Sequence, residues 1–263
     1  MRKFLFAALL SLSVLPALAQ DEIFGPTAKD KPRHGFIFNG NADFDIPAAD
    51  MAKRFGVSYR LGPAVTYKTA SNWVFGVKMD FIAGNLIKQD SFMINVRDKY
   101  NTNFNGKVLE FIDINGYRSG VPVYERGYMV GVQVGRIINF NKYHPDDGLM
   151  LLSSVGFMQH KIDIYDRDKS VAQILGPYLK GYDRLTNGLY VEQYAGYTYF
   201  AKNGLLNFNL GVDCSVGFTQ GRRDYLFDVM RPDTKKRTDI LFGLRGGWMI
   251  PVFRKKVEDI SFE

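Results

Sequence analysis

A single cysteine, Cys214, stands among 263 residues. It has no partner within the chain, so no internal disulfide staples the fold. Long apolar runs are just as scarce. Beyond the first twenty residues no stretch combines the length and lack of charge of a membrane helix, so entry into a bilayer would have to be by strands. Sequence repeats and low-complexity tracts are missing. So is a Lys/Arg stripe with interleaved aromatics, the mark of a nucleic-acid surface. The net charge of +7 and the pI of about 9.3 therefore point to an anionic membrane surface and not to nucleic acid. No cofactor motif is present, and neither a cofactor nor a metal is expected.

What is present begins with MRKFLFAALLSLSVLPALAQ. Arg2 and Lys3 precede an apolar core, and Ala17-Leu18-Ala19 supplies a small-x-small cleavage site, the anatomy of a secretory leader. Residues 1–19 read as that leader, 20–33 as a periplasmic segment and 34–263 as one domain. Losing Arg2 and Lys3 takes the net charge from +7 to +5.

Alternation dominates the rest. In NFNLGVDCSVGF, residues 207–218, every second side chain is bulky and apolar, and those between are small or polar. Period two over this length is a strand with one apolar face. The same test selects eight segments: 35–46, 57–68, 73–84, 128–139, 149–162, 189–200, 207–218 and 239–251. Thr69-Ala70-Ser71-Asn72 and Ala201-Lys202-Asn203-Gly204 make tight hairpin turns, and NKYHPDDG a modest one. The other joins are long: PAADMAKRF, then residues 87–127, 163–188 and 221–238. An even strand number with a short-turn side and a long-loop side describes an all-β fold, an eight-stranded antiparallel up-and-down transmembrane β-barrel with long extracellular loops.

Two exported barrels share this plan, inside-out relative to each other. A lipocalin-like barrel points its apolar face inward; a membrane barrel points it at lipid. The polar face decides between them, because it is mostly Gly, Asn, Ser and Thr, where a wetted surface would be rich in Lys and Glu. The scattered charges can pair inside a narrow lumen: Arg60, Lys68, Lys78 and Arg245 with Asp43, Asp80, Glu192 and Asp213. Turned outward, Lys78 and Arg245 would cost about 2–4 kcal/mol each near the bilayer midplane. Tyr67, Trp73, Tyr197, Tyr199, Phe208 and Trp248 gather at the short-turn ends, as an interfacial girdle does. Pro63 removes a ladder donor, and a bulge at Gly62-Pro63 is expected to absorb it.

Chemistry is sparse. His160, near Asp163, Asp166 and Asp168 with Ser153 and Ser154 lower on its strand, is the one weak candidate for a lipid-modifying enzyme. An interior hydrogen-bonding role fits it better. HPDDG, with His144, Asp146 and Asp147, reads as a turn before it reads as a metal site. DIYDRDKS lacks the glycine and terminal glutamate of a calcium loop. Arg222, Arg223, Lys235, Lys236 and Arg237 form a basic loop patch suited to lipopolysaccharide phosphates or an acidic partner. The apolar content of 87–127 should fold over the barrel mouth or dock on another protein. A narrow lumen argues against a general porin, leaving a small-solute channel as an alternative.

GYDRLTNGLYVEQYAGYTYF, GFTQGRRDYLFD and KRTDILFGLRGGWMIPVFRK are where this chain resembles small outer-membrane β-barrels of the Bacteroidota, of the OmpX-like and PorG-like kind. The resemblance spans residues 157–253. It implies a non-enzymatic outer-membrane location and, through the PorG-like component of type IX secretion, an anchoring role beside another envelope or secretion protein. The chain ends Ser261-Phe262-Glu263, where many such barrels end on an aromatic, so Phe253 or Phe262 is the expected insertion signal.

Overall fold

The computed structural model describes residues 32–89, 92–98, 104–141, 143–201 and 206–253. The leader, residues 20–31, most of the turn after Ala201 and the C-terminal Phe262 fall outside them. In chain order the elements are β1 (Gly35–Ala48), α1 (Ala49–Ala52), β2 (Ser58–Lys68), β3 (Trp73–Gly84), β4 (Val108–Ile112) and β5 (Arg118–Ile138). There follow β6 (Gly148–Ile164), two 3-10 turns (Ala172–Ile174 and Gly176–Gly181), β7 (Thr186–Phe200), β8 (Asn207–Gly221), β9 (Arg223–Leu226), β10 (Arg231–Asp233) and β11 (Lys236–Phe253).

Eight of these strands form a closed antiparallel barrel in the order β1-β2-β3-β5-β6-β7-β8-β11, and β11 returns to pair with β1. Closure removes the free edges of the eight barrel strands, leaving only β4 and the β9–β10 pair with an open edge among the described residues. The strand that carries Arg245 lies opposite Asp43 of β1, and Asp43 lies opposite Arg60 of β2, so three charged residues share one row of the wall.

Side chains alternate as the period-two reading requires. Phe36, Phe38, Phe44 and Ile46 of β1 point out, while Asp43 and Asp45 point in and are buried. The expected turn at Thr69–Asn72 forms, with Asn72 in the left-handed region at φ 63° and its backbone NH donating to the Thr69 carbonyl. No bulge forms at Pro63. Leu61 faces Phe81 and Ala64 faces Lys78, so the register is unchanged across Gly62-Pro63 and only the pairing to β3 lapses there. Gly62 makes this tolerable, since a Cβ at that position would lie 1.8 Å from the Met79 carbonyl oxygen.

The strands run further than the sequence pattern suggested at the long-loop end. β5 starts at Arg118, taking up the last ten residues of the expected 87–127 loop. The reason is a change of face. Val130, Val132 and Val134 point outward and are exposed, whereas Val121, Val123 and Met129 point inward and are buried. On β6, Val155 and Phe157 point out while Ile162 and Ile164 point in. The apolar side thus swaps from the outside to the inside near Tyr128 and Phe157, and a search for one continuous apolar face stops at the swap. Above it, the β4–β5 hairpin, residues 92–98 and the two 3-10 turns fold together as a cap.

Candidate functional site

The middle of the lumen is an ionic layer. Arg60 of β2 is fully buried and its guanidinium reaches Asp45 at 2.7 Å, Glu192 at 2.7 Å, Asp213 at 2.6 Å and Asp43 at 3.4 Å. Arg245 of β11 adds Asp43 at 2.6 Å and Glu192 at 3.1 Å. Lys78 of β3 completes the set with Glu192 at 2.5 Å and Asp80 at 2.8 Å. Every residue of the expected network, Arg60, Lys78, Asp80, Glu192, Asp213 and Arg245, faces this layer. Asp45, which the sequence reading left out, joins it. Lys68 does not; it lies at the short-turn mouth, donating to Asp146 at 2.7 Å. Buried ions are tolerated only when charge pairing is combined with hydrogen bonds to the remaining lone pairs, and Ser215 supplies one more to Glu192 at 2.8 Å. Gly243 makes room for the layer, because a Cβ there would sit 2.3 Å from Asp213 Oδ1 and 2.8 Å from Arg60 Nη2.

Below the ionic layer the lumen is apolar. Ile37, Val74, Ile137, Met150, Leu152, Tyr194, Phe200 and Met249 pack together there. They are inward-facing residues that the Gly/Asn/Ser/Thr description of the polar face overlooked. They leave a cavity of about 20 Å³, room for a single water molecule, beside Asn39, Asn41, Asn209 and Arg245. The HPDDG turn closes this end. Asp146 accepts from Lys68 and from Arg33, and Asp147 accepts from the Phe200 backbone NH at 2.8 Å. Both carboxylates are therefore occupied by the barrel itself.

Above the layer, His160 of β6 is fully buried. Its Nε2 lies 2.9 Å from Asp239 Oδ2, which also accepts from Thr219 Oγ1 at 2.5 Å, and the Phe55 ring stands edge-on to the imidazole at 5.5 Å. Ser153 points out of the barrel, bonded to Gln193 Oε1 at 2.6 Å. Ser154 points inward, but it lies six residues along the strand from His160, about 20 Å at strand rise. Neither serine meets the imidazole. Over His160 lies the cap's core, in which Phe55, Ile87, Phe92, Met93, Leu109, Phe111, Val171 and Ile174 pack onto barrel residues Met129, Met158, Tyr190 and Leu241. Of the apolar residues of 87–127, Ile87, Phe92, Met93, Leu109 and Phe111 fold over the mouth, while Ile94, Val108 and Ile112 stay exposed. Arg54 threads this core, donating to Thr186 Oγ1 and the Arg184 carbonyl at 3.1 Å each, and burial pushes its guanidinium down to about 10.

The basic loop patch is divided by the structure. Arg223 is held by Asp183 at 2.5 Å, a hydrogen-bonded pair that raises its pKa, and Arg237 by Asp233 at 2.7 Å. Both are thus committed to carboxylates of the chain itself. Arg222, Lys235 and Lys236 stay exposed. Of the loop called DIYDRDKS, Asp166 accepts from the Val171 backbone NH at 2.9 Å, a local turn bond.

Fold and lumen together define a class, the closed eight-stranded antiparallel barrel with charges inside and apolar side chains outside. No protein-family model matches the chain, and no curated protein sequence matches it. Solved structures with a similar strand plan include Neisserial surface protein A, at 8% identity and a TM-score of 0.44, over 83% of this chain and 97% of that one. The attachment invasion locus protein Ail of Yersinia pestis is 13% identical with a TM-score of 0.39, over 83% of this chain and 99% of that one. The outer-membrane protein OprG of Pseudomonas aeruginosa is 10% identical with a TM-score of 0.32, over 84% and 98% respectively.

Proposed function

We propose that this chain is an integral outer-membrane barrel protein, exported behind a leader cleaved after Ala19, with an anchoring and partner-binding role. One observation carries the reading. Side chains such as Trp248 and Leu244 are 64% and 55% exposed around the outer wall, while the ionic layer between the same strands is buried. In water so large an apolar surface is far beyond what soluble monomers show. In hydrocarbon it is matched to its solvent, and the closed ladders pair the backbone of the wall apart from the lapse at Gly62-Pro63. The packed lumen supports an anchor in preference to a small-solute channel, and the isolation of His160 from both serines supports a non-enzymatic role. The partner, another envelope protein such as a component of a type IX-like secretion assembly, would meet the cap. There the β4–β5 hairpin tip presents Ile114 and Tyr117, 68% and 73% exposed.

Fractionation tests the location: the mature protein should stay with outer membranes through alkaline and high-salt washes and leave only with detergent. Recovery as a detergent-free periplasmic monomer would refute it. Extraction in mild detergent should bring down a stoichiometric envelope partner, lost on replacing Ile114 and Tyr117 with Ser. Planar bilayers should show no steady conductance.

A further inference from the structure

The swap of faces on β5 and β6 has counterparts around the wall. Leu189, Phe218, Ile240 and Phe242 are apolar outward positions of β7, β8 and β11. Immediately above them the outward positions turn polar: Asn187, Gln220, Thr238 and Lys236, and Arg222 just past the end of β8. On the membrane reading this level is where hydrocarbon gives way to headgroups. The cations at this height are not equivalent. On the β5–β6 side Arg126 donates to the Glu125 carbonyl and lies over the Tyr124 ring, and Lys161 lies 3.5 Å from Asp163. On the β8–β11 side a cavity of about 430 Å³ opens between Asp50, Phe218, Thr219, Gln220, Arg222, Lys236, Arg237 and Thr238. Arg222 uses only its Nε there, donated to Asn187 Oδ1 at 2.6 Å, and among the described residues Lys236 has no ion-pair partner. The single carboxylate of the cavity, Asp50, is satisfied by Lys53 at 2.8 Å and by the Thr238 backbone NH at 3.1 Å, and these bonds lower its pKa.

We infer that this β8–β11 cavity holds the phosphate of an outer-leaflet lipid A, with Arg222 and Lys236 on the phosphate and an acyl chain lying along Phe218, 60% exposed, and Phe242 below. The inference rests on the membrane reading and deepens it. The guanidinium of Arg222 offers its two terminal nitrogens in a fork, the geometry that suits a phosphate, and Lys236 adds a point charge. The level of the cavity supplies the rest: cations at headgroup height directly over apolar wall are complementary to an amphiphile, whereas a soluble anion would need only the cations.

The test uses the full mature barrel reconstituted in phosphatidylcholine nanodiscs containing phosphorylated lipid A, then released into mild detergent for native mass spectrometry. The wild-type barrel should retain lipid A. Arg222→Gln with Lys236→Gln should lose roughly tenfold or more in apparent affinity, since two charge-assisted contacts go. Lipid A stripped of its phosphates should be retained no better than by that variant. Equal retention by the variant, or of the dephosphorylated lipid, would overturn the assignment. So would displacement of lipid A by inorganic phosphate, which would make this an ion site and not a lipid site. Heat-modifiable migration and resistance to alkaline extraction are read on the same samples. A barrel that inserts and folds without retaining lipid A sinks this inference alone, and one that fails to insert sinks the membrane reading beneath it.

Discussion

The middle of the lumen and the cap above it are equally buried but are built from opposite chemistry. In the middle, three cations meet five carboxylates through bonds of 2.5–3.4 Å. In the cap, aliphatic and aromatic residues from 55 to 174 interlock, and the buried Arg54 passes through, donating to Thr186 and to the Arg184 carbonyl. The difference follows only in part from what lies outside. At the level of the layer the outer wall is apolar and the charged residues face inward, whereas lower down, behind the same apolar wall, Ile37, Val74, Met150 and Met249 also face inward. Where the outer wall turns polar, near Tyr128 and Phe157, the apolar residues move indoors and build an ordinary core. Stability in the first region depends on completeness of pairing, and in the second on volume.

That contrast can be broken from either side. Arg60→Met removes the one group that bonds three carboxylates at 2.6–2.7 Å, and breaking a buried pair this way costs about 3–5 kcal/mol. The urea midpoint of the heat-modifiable band should drop accordingly, and a loss below about 1 kcal/mol would show the layer to be wet. Phe111→Ala in the cap should cost about 3–5 kcal/mol of packing, but locally. Protease should then cut the cap while the barrel band keeps its migration; loss of both together would mean that cap and barrel fold as one unit. Gly243→Ala sharpens the comparison, because its Cβ would enter the ionic layer and not an apolar gap. A cost of about 1–3 kcal/mol is expected from the overpacking, read from the same midpoint. The smallest effect belongs to Glu125, whose two carboxylate oxygens are buried without hydrogen bonds at the border of the two regions. Glu125→Gln keeps the shape and removes the charge, so it should raise the midpoint by about 1 kcal/mol. A clear decrease would reveal a partner for that carboxylate.

Much of the barrel was legible because period two is a direct consequence of strand geometry, and it named the inward Arg60, Lys78, Glu192, Asp213 and Arg245 by parity alone. Parity also misled. Val74, Ile137, Met150 and Met249 sit on the polar side of their strands, and nothing local distinguishes an apolar residue that points into a narrow lumen from a flaw in the pattern. Asp45 shares parity with Asp43 and was available to the same argument. The division of the basic loop was not available, since Asp183 and Asp233 reach Arg223 and Arg237 only after the loop has folded onto the cap. Lys68 was misplaced along the strand, not across it: the right face, but at the mouth beside Asp146.

On the membrane reading the apolar face meets hydrocarbon, and the single cysteine is placed to test it. Cys214 sits on the outward face of β8, opposite Phe242 and one residue from Asp213 of the ionic layer. A nitroxide attached to Cys214 in the unfolded chain and carried into bilayers on refolding should relax readily with oxygen and hardly at all with a water-soluble nickel chelate. The reverse, strong relaxation by the chelate at this position, would put water where the account requires lipid.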